Sequence, residues 1–420
     1  MARNRVTYQS EALFVSDHAA APSTADTTKE QLRRVQSANY SFSIGRTDVN
    51  QFGQVGRIDS LITEAPTVSL DYSYLLSEGA NEDLLGFSVN RTNNTAALEL
   101  ITLTSTLDQF TKGIFDGANN RQGVNYYIST APDGKDINEN DGSEQSVISI
   151  GNAVITEYSF EASVGALPTV SVSAEGANIQ VTPTGEKVIA PSLDVNGALI
   201  DDAAEVGEVG KAGEFTAAEQ LGAASNEVTA LRPSDMVILF AAEDAAHPNG
   251  KSAASVLTSL PQDSADAAAS DEGFAGVTTL IENENAAHLQ SFSFSLPLSR
   301  TPLQKIGSWA NYARPIDTPA NATLSVSAIV NEMNKGALND ALCNDVQDVI
   351  VVMRKPGCPG DTNKSAIAMV WMFKDILLES ESMSSSIGDN KTVDLTYNVA
   401  VQGDSVTEKG IFLATNGDHA

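Results

Sequence analysis

Most readable stretches of this chain alternate apolar and polar residues, and a period of two is the signature of a half-buried β-strand. In residues 67–74 (TVSLDYSY), Val68, Leu70, Tyr72 and Tyr74 take one face while Thr67, Ser69, Asp71 and Ser73 take the other. Residues 322–328 (ATLSVSA) behave alike, with Ala322, Leu324, Val326 and Ala328 on the buried face and Thr323, Ser325 and Ser327 on the exposed one. The alternation continues through 156–164 (TEYSFEASV), 169–174 (TVSVSA) and 392–401 (TVDLTYNVAV), with GALP and GDN as hairpin turns between consecutive runs. This pattern predicts a mainly β fold of antiparallel sheets, arranged as sandwiches or half-barrels. Helix-like stretches interrupt it twice, at 97–115 as a strand followed by a helix and at 330–346, where Leu338 and Leu342 share a face. Each precedes an apolar strand, NYYIST at 125–130 and VIVVMR at 349–354.

The strands belong to a repeat. Residues 35–57 (VQSANYSFSIGRTDVNQFGQVGR) return 254 positions later, without a gap, as residues 289–311 (LQSFSFSLPLSRTPLQKIGSWAN). Gln36, Ser37, Ser41, Arg46, Thr47 and Gly53 meet Gln290, Ser291, Ser295, Arg300, Thr301 and Gly307, and Leu70 and Ser73 still meet Leu324 and Ser327 at that offset. A second block, from Glu157, returns from Glu379; it aligns Glu157 with Glu379, Gly165 with Gly388 and Val170 with Val393. Two matching blocks in the same order predict an internal duplication. The first copy begins near SEALFV (10–15) and the second near SDMVILF (234–240). The expected division is copy one at 1–181, an acidic Gly/Ala-rich linker or small inserted lobe at 182–231, copy two at 232–405 and a C-terminal tail at 406–420.

A length of 420 residues suits such a division, since two or three domains of this size each bury a core. The charge narrows the function. Against 25 Lys plus Arg stand 54 Asp plus Glu, a formal net charge of −29. Affinity for phosphate rests on clustered Lys and Arg displacing counterions, so this balance argues against a nucleic-acid binder. It suits a surface that DNA must pass without sticking. The N-terminal residues lack the apolar run of a signal peptide, and no segment reaches the ~20 apolar residues of a membrane span, so a soluble cytoplasmic product is expected. Cys343 and Cys358 are too few for a disulfide framework and are expected as free thiols.

Motifs with chemistry are weak. Residues 245–252 (AAHPNGKS) follow an apolar run and fit a relaxed phosphate loop, in which Lys251 would hold phosphates and Ser252 a magnesium ion. Ala245 stands where the first glycine belongs, and the corresponding loop at 17–31 lacks Gly-Lys-Ser, so a turn carrying a solvated lysine is the expected structure. Residues 136–145 (DINENDGSEQ) miss calcium-loop spacing, with Gly142 one place late and Val147 where a bidentate Glu is needed; they read as an acidic hairpin tip. His18, His247, His288 and His419 are scattered, with no Cys or His at metal-ligand spacing. No catalytic, metal or cofactor site is expected, and the protein is not expected to be an enzyme.

The matched blocks resemble the major tail tube proteins of long-tailed bacteriophages. The resemblance is carried by residues 39–87 (NYSFSIGRTDVNQFGQVGRIDSLITEAPTVSLDYSYLLSEGANEDLLGF) and by the closing hairpin at 382–404 (SMSSSIGDNKTVDLTYNVAVQGD). It covers the β portions of both copies but not residues 182–231. It implies β-sandwich domains with a flanking helix, six of which surround an axis so that their inner sheets form a barrel, with rings stacking into a tube. Two domains per chain depart from the usual one and imply a trimeric ring of pseudo-sixfold symmetry. The implied partners are further copies of the chain, a tape-measure protein, tail terminator and baseplate or tip proteins, and genomic DNA in transit without tight binding. The implied location is the virion tail, assembled in the host bacterial cytoplasm, with no membrane contact.

The polar faces of the alternating strands then become candidates for the channel wall. They hold Asp71, Ser73, Glu157, Ser159, Glu161, Ser325, Ser327, Glu379 and Glu381, and the runs that carry them contain no Lys or Arg. An acidic, Ser/Thr-rich lumen would not trap phosphates. The alternative reading is another assembly module, a capsid decoration, fibre or adhesin protein built of tandem β-sandwich domains.

Overall fold

The computed structural model describes residues 11–16, 29–77, 79–85, 87, 99–101, 123–131, 137, 146–183, 187–193, 199, 205–208, 230–242, 287–308, 311, 313–317, 319–330, 347–354, 367–385, 390–401 and 410–415. In the first half these form β1 (Glu11–Ser16), β2 (Lys29–Gln31), β3 (Val35–Ser43), β4 (Arg46–Val49), β5 (Asp59–Ile62), β6 (Thr67–Leu75), the short helix α1 (Ala80–Leu84), β7 (Glu99–Ile101), β8 (Val124–Thr130), β9 (Ser146–Ser163), β10 (Thr169–Gly176) and β11 (Asn178–Thr182). A small hairpin follows, β12 (Lys187–Ile189) with β13 (Glu205–Glu208). The second half holds β14 (Met236–Ala242), β15 (Ala287–Pro297), β16 (Asn321–Val330), β17 (Gln347–Arg354), β18 (Ile367–Ser384), β19 (Thr392–Ala400) and β20 (Gly410–Thr415). The predicted alternation becomes strand throughout, and every sheet pairing is antiparallel. Both predicted helices and both chemical loops, at 245–252 and 136–145, lie largely or wholly outside the described residues. Residues 410–415, within the segment expected as a tail, form β20, with Ile411 and Leu413 buried where the strand pairs with β18.

Three sheets share two long strands. The C-terminal halves of β9 and β18 enter one continuous eight-stranded sheet, in the order β3-β6-β10-β9-β15-β16-β19-β18. Their N-terminal halves enter separate outer sheets, β2-β1-β8-β9-β11 in the first half and β14-β17-β18-β20-β7 in the second. Each long strand changes sheet at a bulge, at Thr156 in β9 and at Glu379 in β18, where one extra residue bends the strand.

Pairings in the two halves correspond residue for residue. Ser37 lies opposite Ser73 and Ser291 opposite Ser327, with a bulge just before each at Gln36 and Gln290. Tyr126 lies opposite Ile150 and Val349 opposite Phe373. Ser159 lies opposite Ser171 and Ser382 opposite Asp394, an offset of 223. That offset places Glu157 level with Ser380 and Thr156 level with Glu379, so the sequence alignment of Glu157 with Glu379 slips by one residue ahead of the Gly165 turn. In a strand, one residue is the difference between two faces.

The core lies between the eight-stranded sheet and the outer sheets. Trp371 and Phe373, from the second outer sheet, meet Phe294 of β15 with ring centroids 5.6 and 5.0 Å away. Trp371 also meets Tyr158 of β9 at 6.0 Å, and Phe160 meets Phe292 at 5.6 Å, so one aromatic core crosses from one half of the chain to the other. A polar cluster is sealed inside it. The Tyr74 and Tyr158 hydroxyls donate to Glu82 Oε1 at 2.7 and 3.1 Å, and the Tyr72 and Tyr126 hydroxyls lie 3.2 Å apart.

Burial raises the Glu82 carboxyl above its ordinary 4.5, outweighing the two phenol donors that stabilise the anion. An acid raised on folding binds its proton more tightly in the folded state, so its contribution is full below pH ~4.5 and is lost as pH rises through the folded value. Glu82→Gln keeps an oxygen acceptor and removes the titration. Urea unfolding followed against pH should show the wild-type chain losing stability above pH ~4.5 and the variant lacking that slope; identical profiles would remove Glu82 as the titrating group.

Candidate functional site

Seven of the nine residues read as channel-wall candidates share one face of the eight-stranded sheet. Register fixes this, because directly opposed residues of an antiparallel pair project to the same side. Asp71 lies opposite Ser173, which lies opposite Glu157; Ser73 lies opposite Ser171, which lies opposite Ser159, then Ser295. Glu161 lies opposite Ser293, then Ser325, and Ser291 lies opposite Ser327, then Asp394. The hydroxyls join across strands: Ser37 with Ser73 and Ser41 with Ser69, each at 2.7 Å, and Ser173 donating to Asp71 at 2.7 Å. The opposite face is the apolar core, so the face is a sheet of hydroxyls and carboxylates laid on a dry interior.

Glu379 and Glu381 fall elsewhere. Glu379 is the bulged residue of β18, and Glu381 lies opposite Leu395, on the side of Val393 and Tyr397 that faces the core. Its offset equivalent is Tyr158, which is fully buried. The bulge accounts for the difference, since it shifts the alternation by one at a point that periodicity alone cannot locate. Burial first, and then the neighbouring Glu381 carboxylate, push the Tyr397 phenol above its ordinary value, so it remains a proton donor there.

The β9·β15 pairing joins the two halves of the chain. Ser163 to Glu157 run opposite Ser291 to Pro297, and the ladder is closed by Val164 N–H to the Gln290 carbonyl and by Leu298 N–H to the Thr156 carbonyl. Arg300 is buried at this seam and donates Nε to the Ile155 carbonyl and Nη1 to the Arg314 carbonyl. Arg314 in turn reaches the Glu175 backbone carbonyl, with the Glu175 carboxylate at 3.8 Å. Burial, and then the Arg314 charge, lower Arg300 to about 10, which leaves its guanidinium charged at neutral pH, and burial lowers Arg314 against the opposing pull of the Glu175 carboxylate. Only Arg300 was visible in the sequence, as the repeat match of Arg46; nothing marked Arg314 or Glu175.

The outer strands of the eight-stranded sheet are open. Among the described residues β3 pairs only with β6, and the segment of β18 from Leu377 to Ser384 pairs only with β19. Tyr40 and Phe42 of β3 are 42% and 61% exposed, whereas their equivalents Phe294 and Leu296 are each 1% exposed. Met383 of β18 is 45% exposed, whereas its equivalent Phe160 is 1% exposed. Apolar tips also project: the β4–β5 hairpin carries Phe52 and Val55, and the matching loop carries Ile306, all fully exposed beside Gly53 and Gly307 at φ 86° and 93°.

Among the described residues no group of three or more His, Cys, Asp or Glu side chains could hold a metal ion, and no helix is long and apolar enough to cross a membrane. No family model matches the sequence, and no curated protein matches it. A solved chain from the virion of a native gene transfer agent particle is 12% identical, with a TM-score of 0.17, over 27% of this chain and 77% of that chain. A chain from the tail of an empty gene transfer agent particle, with C6 symmetry, is 10% identical, with a TM-score of 0.20, over 43% of this chain and 99% of that chain.

Proposed function

We propose that the chain is a structural subunit of a phage-like tail tube, with two fused copies of one tube domain and three chains to a ring. The observation that carries this reading is the β9·β15 seam, where strands of two matching halves already join into one continuous sheet with open outer strands. Equivalent registers at offsets of 254 and 223 support the duplication. Three chains supply six matching units, and closure removes both open edges of the eight-stranded sheet.

The hydroxyl and carboxylate face lines the axial channel, with Asp71, Ser73, Glu157, Ser159, Glu161, Ser325 and Ser327 on the wall. Among the described residues this face carries no cation at which counterions could be released, so DNA slides past it without being held. The protein acts as a passive conduit around a tape-measure protein, and the exposed Phe52, Val55 and Ile306 tips make contacts between stacked rings.

Negative-stain images of concentrated purified protein should show six-lobed rings with the mass of three chains, and tubes. Chains that remain monomeric, or form open strings as a fibre or adhesin would, refute the ring. Replacing Phe52 and Ile306 together by Ser should leave the fold and rings intact, because both side chains are fully exposed, and should abolish tubes. Particles carrying Glu157→Lys with Glu161→Lys should assemble, since surface substitutions change stability by about 0.5 kcal/mol or less. They should eject DNA more slowly than wild type, with the difference shrinking as salt rises; unchanged ejection at low salt would reject the proposed wall.

A further inference from the structure

We propose that the open β3 strand of one chain adds to the open half of β18 in a second copy, in the register already built into the chain at β9·β15. The inference deepens the ring reading and rests on it. β3 corresponds to β15 at an offset of 254, and β18 corresponds to β9 at an offset of 223. Carrying the internal seam across by those offsets sets Asn39 opposite Ser384, Tyr40 opposite Met383, Ser41 opposite Ser382, Phe42 opposite Glu381 and Ser43 opposite Ser380 of the second copy.

The backbone ladder's end and the arginine of the internal seam have counterparts at the open edges. Ile44 stands where Leu298 donates to the Thr156 carbonyl, so its N–H would reach the Glu379 carbonyl of the second copy. Arg46, exposed in the single chain, stands where buried Arg300 donates to Ile155, so its target is the Leu378 carbonyl. The local frame is preformed on both sides: Thr47 and Thr63 share a 3.0 Å hydrogen bond where Thr301 donates to Asp317 at 2.8 Å. Tyr40 and Phe42 would gain the cover that Phe294 and Leu296 already have.

The two seams are not identical. The internal Arg314 and Glu175 contact has no counterpart, because the equivalent positions are Ser60 and Asn398. Tyr158 of the internal seam is replaced by Glu381, beside the Tyr397 phenol. The external seam therefore has the same backbone register with fewer buried polar anchors.

Disulfide trapping reads this register. The Leu298 and Val164 hydrogen bonds put the hydrogen-bonded pairs of the internal seam on its apolar face, so Ser295 and Ser159, and by extension Ser41 and Ser382, form a non-hydrogen-bonded pair. Such a pair has Cα atoms about 4.5 Å apart, within disulfide range. The chain carrying Ser41→Cys and Ser382→Cys, oxidised under ring-forming conditions, should give interchain species up to three chains on a non-reducing gel. Ser41→Cys with Ser384→Cys, two residues out of register, should not exceed the background set by wild type with Cys343 and Cys358. Rings without the Ser41–Ser382 link, or with the out-of-register link instead, overturn the register and leave the ring standing. Absence of any association overturns both.

A second variant guards against misfolding. Phe42→Asp should preserve the circular dichroism and thermal unfolding of the dilute chain, since the side chain is 61% exposed, yet raise the dissociation constant by about a hundredfold or more. Unaltered association in a folded Phe42→Asp chain would place the contact elsewhere.

Discussion

An open sheet edge is the constraint on which this structure turns. A terminal strand leaves a row of backbone N–H and C=O groups without partners, and any matching strand can satisfy them. Inside the chain that need is met once, where β9 receives β15, and the consequences reach the core. Tyr158 and Phe160 from one half can pack on Phe292, Phe294 and Trp371 from the other only because the backbone ladder holds the two in register. The buried Arg300 is held partly for the same reason: its Nε reaches the Ile155 carbonyl of β9 while Nη1 reaches the Arg314 carbonyl beyond β15, and Nη2 is left without a protein partner among the described residues.

The long strands β9 and β18 connect this edge to the rest. Each belongs to two sheets, so each half of the chain closes its core by bending one strand and does not need a separate connection. The bulge at Thr156 or Glu379 sets where the bend occurs, and thereby which side chains face the core and which face the hydroxyl-rich surface. In each long strand, one inserted residue thus marks the change of sheet and sets which side chains reach the hydroxyl-rich surface.

Much of this was legible in the sequence, for a definite reason. Val68, Leu70, Tyr72 and Tyr74 alternate with polar residues and are each buried, because burial on one face imposes a period of two. The repeat match of Arg46 with Arg300 was equally plain. Three things were hidden. Bulges carry no periodic signal, so Glu381 was assigned to the wrong face. Glu82 sits in a five-residue helix, and only the fold brings it under Tyr74 and Tyr158. Exposure of Tyr40 and Phe42 cannot be read from their own pattern, which matches that of the buried Phe294 and Leu296; the difference lies in which strand sits beside them.

That difference bears on how two exposed edges avoid indiscriminate pairing. β3 (VQSANYSFS) carries no charge, whereas the open half of β18 carries Glu379 at its bulge and Glu381 on its core-facing side. A charge directed toward the apolar side of an edge strand is a known defence against edge-to-edge association, because pairing desolvates it. Two β18 edges brought together would carry the carboxylates of Glu379 and Glu381 toward those of the second copy, and like charges across a strand pair repel. Uncharged β3 adds no such repulsion, so β18 accepts it more readily than a second β18. An edge that accepts its opposite and rejects its own kind favours head-to-tail contacts, and such contacts close into the proposed ring only when their rotation divides a full turn; any other fixed rotation gives an open filament.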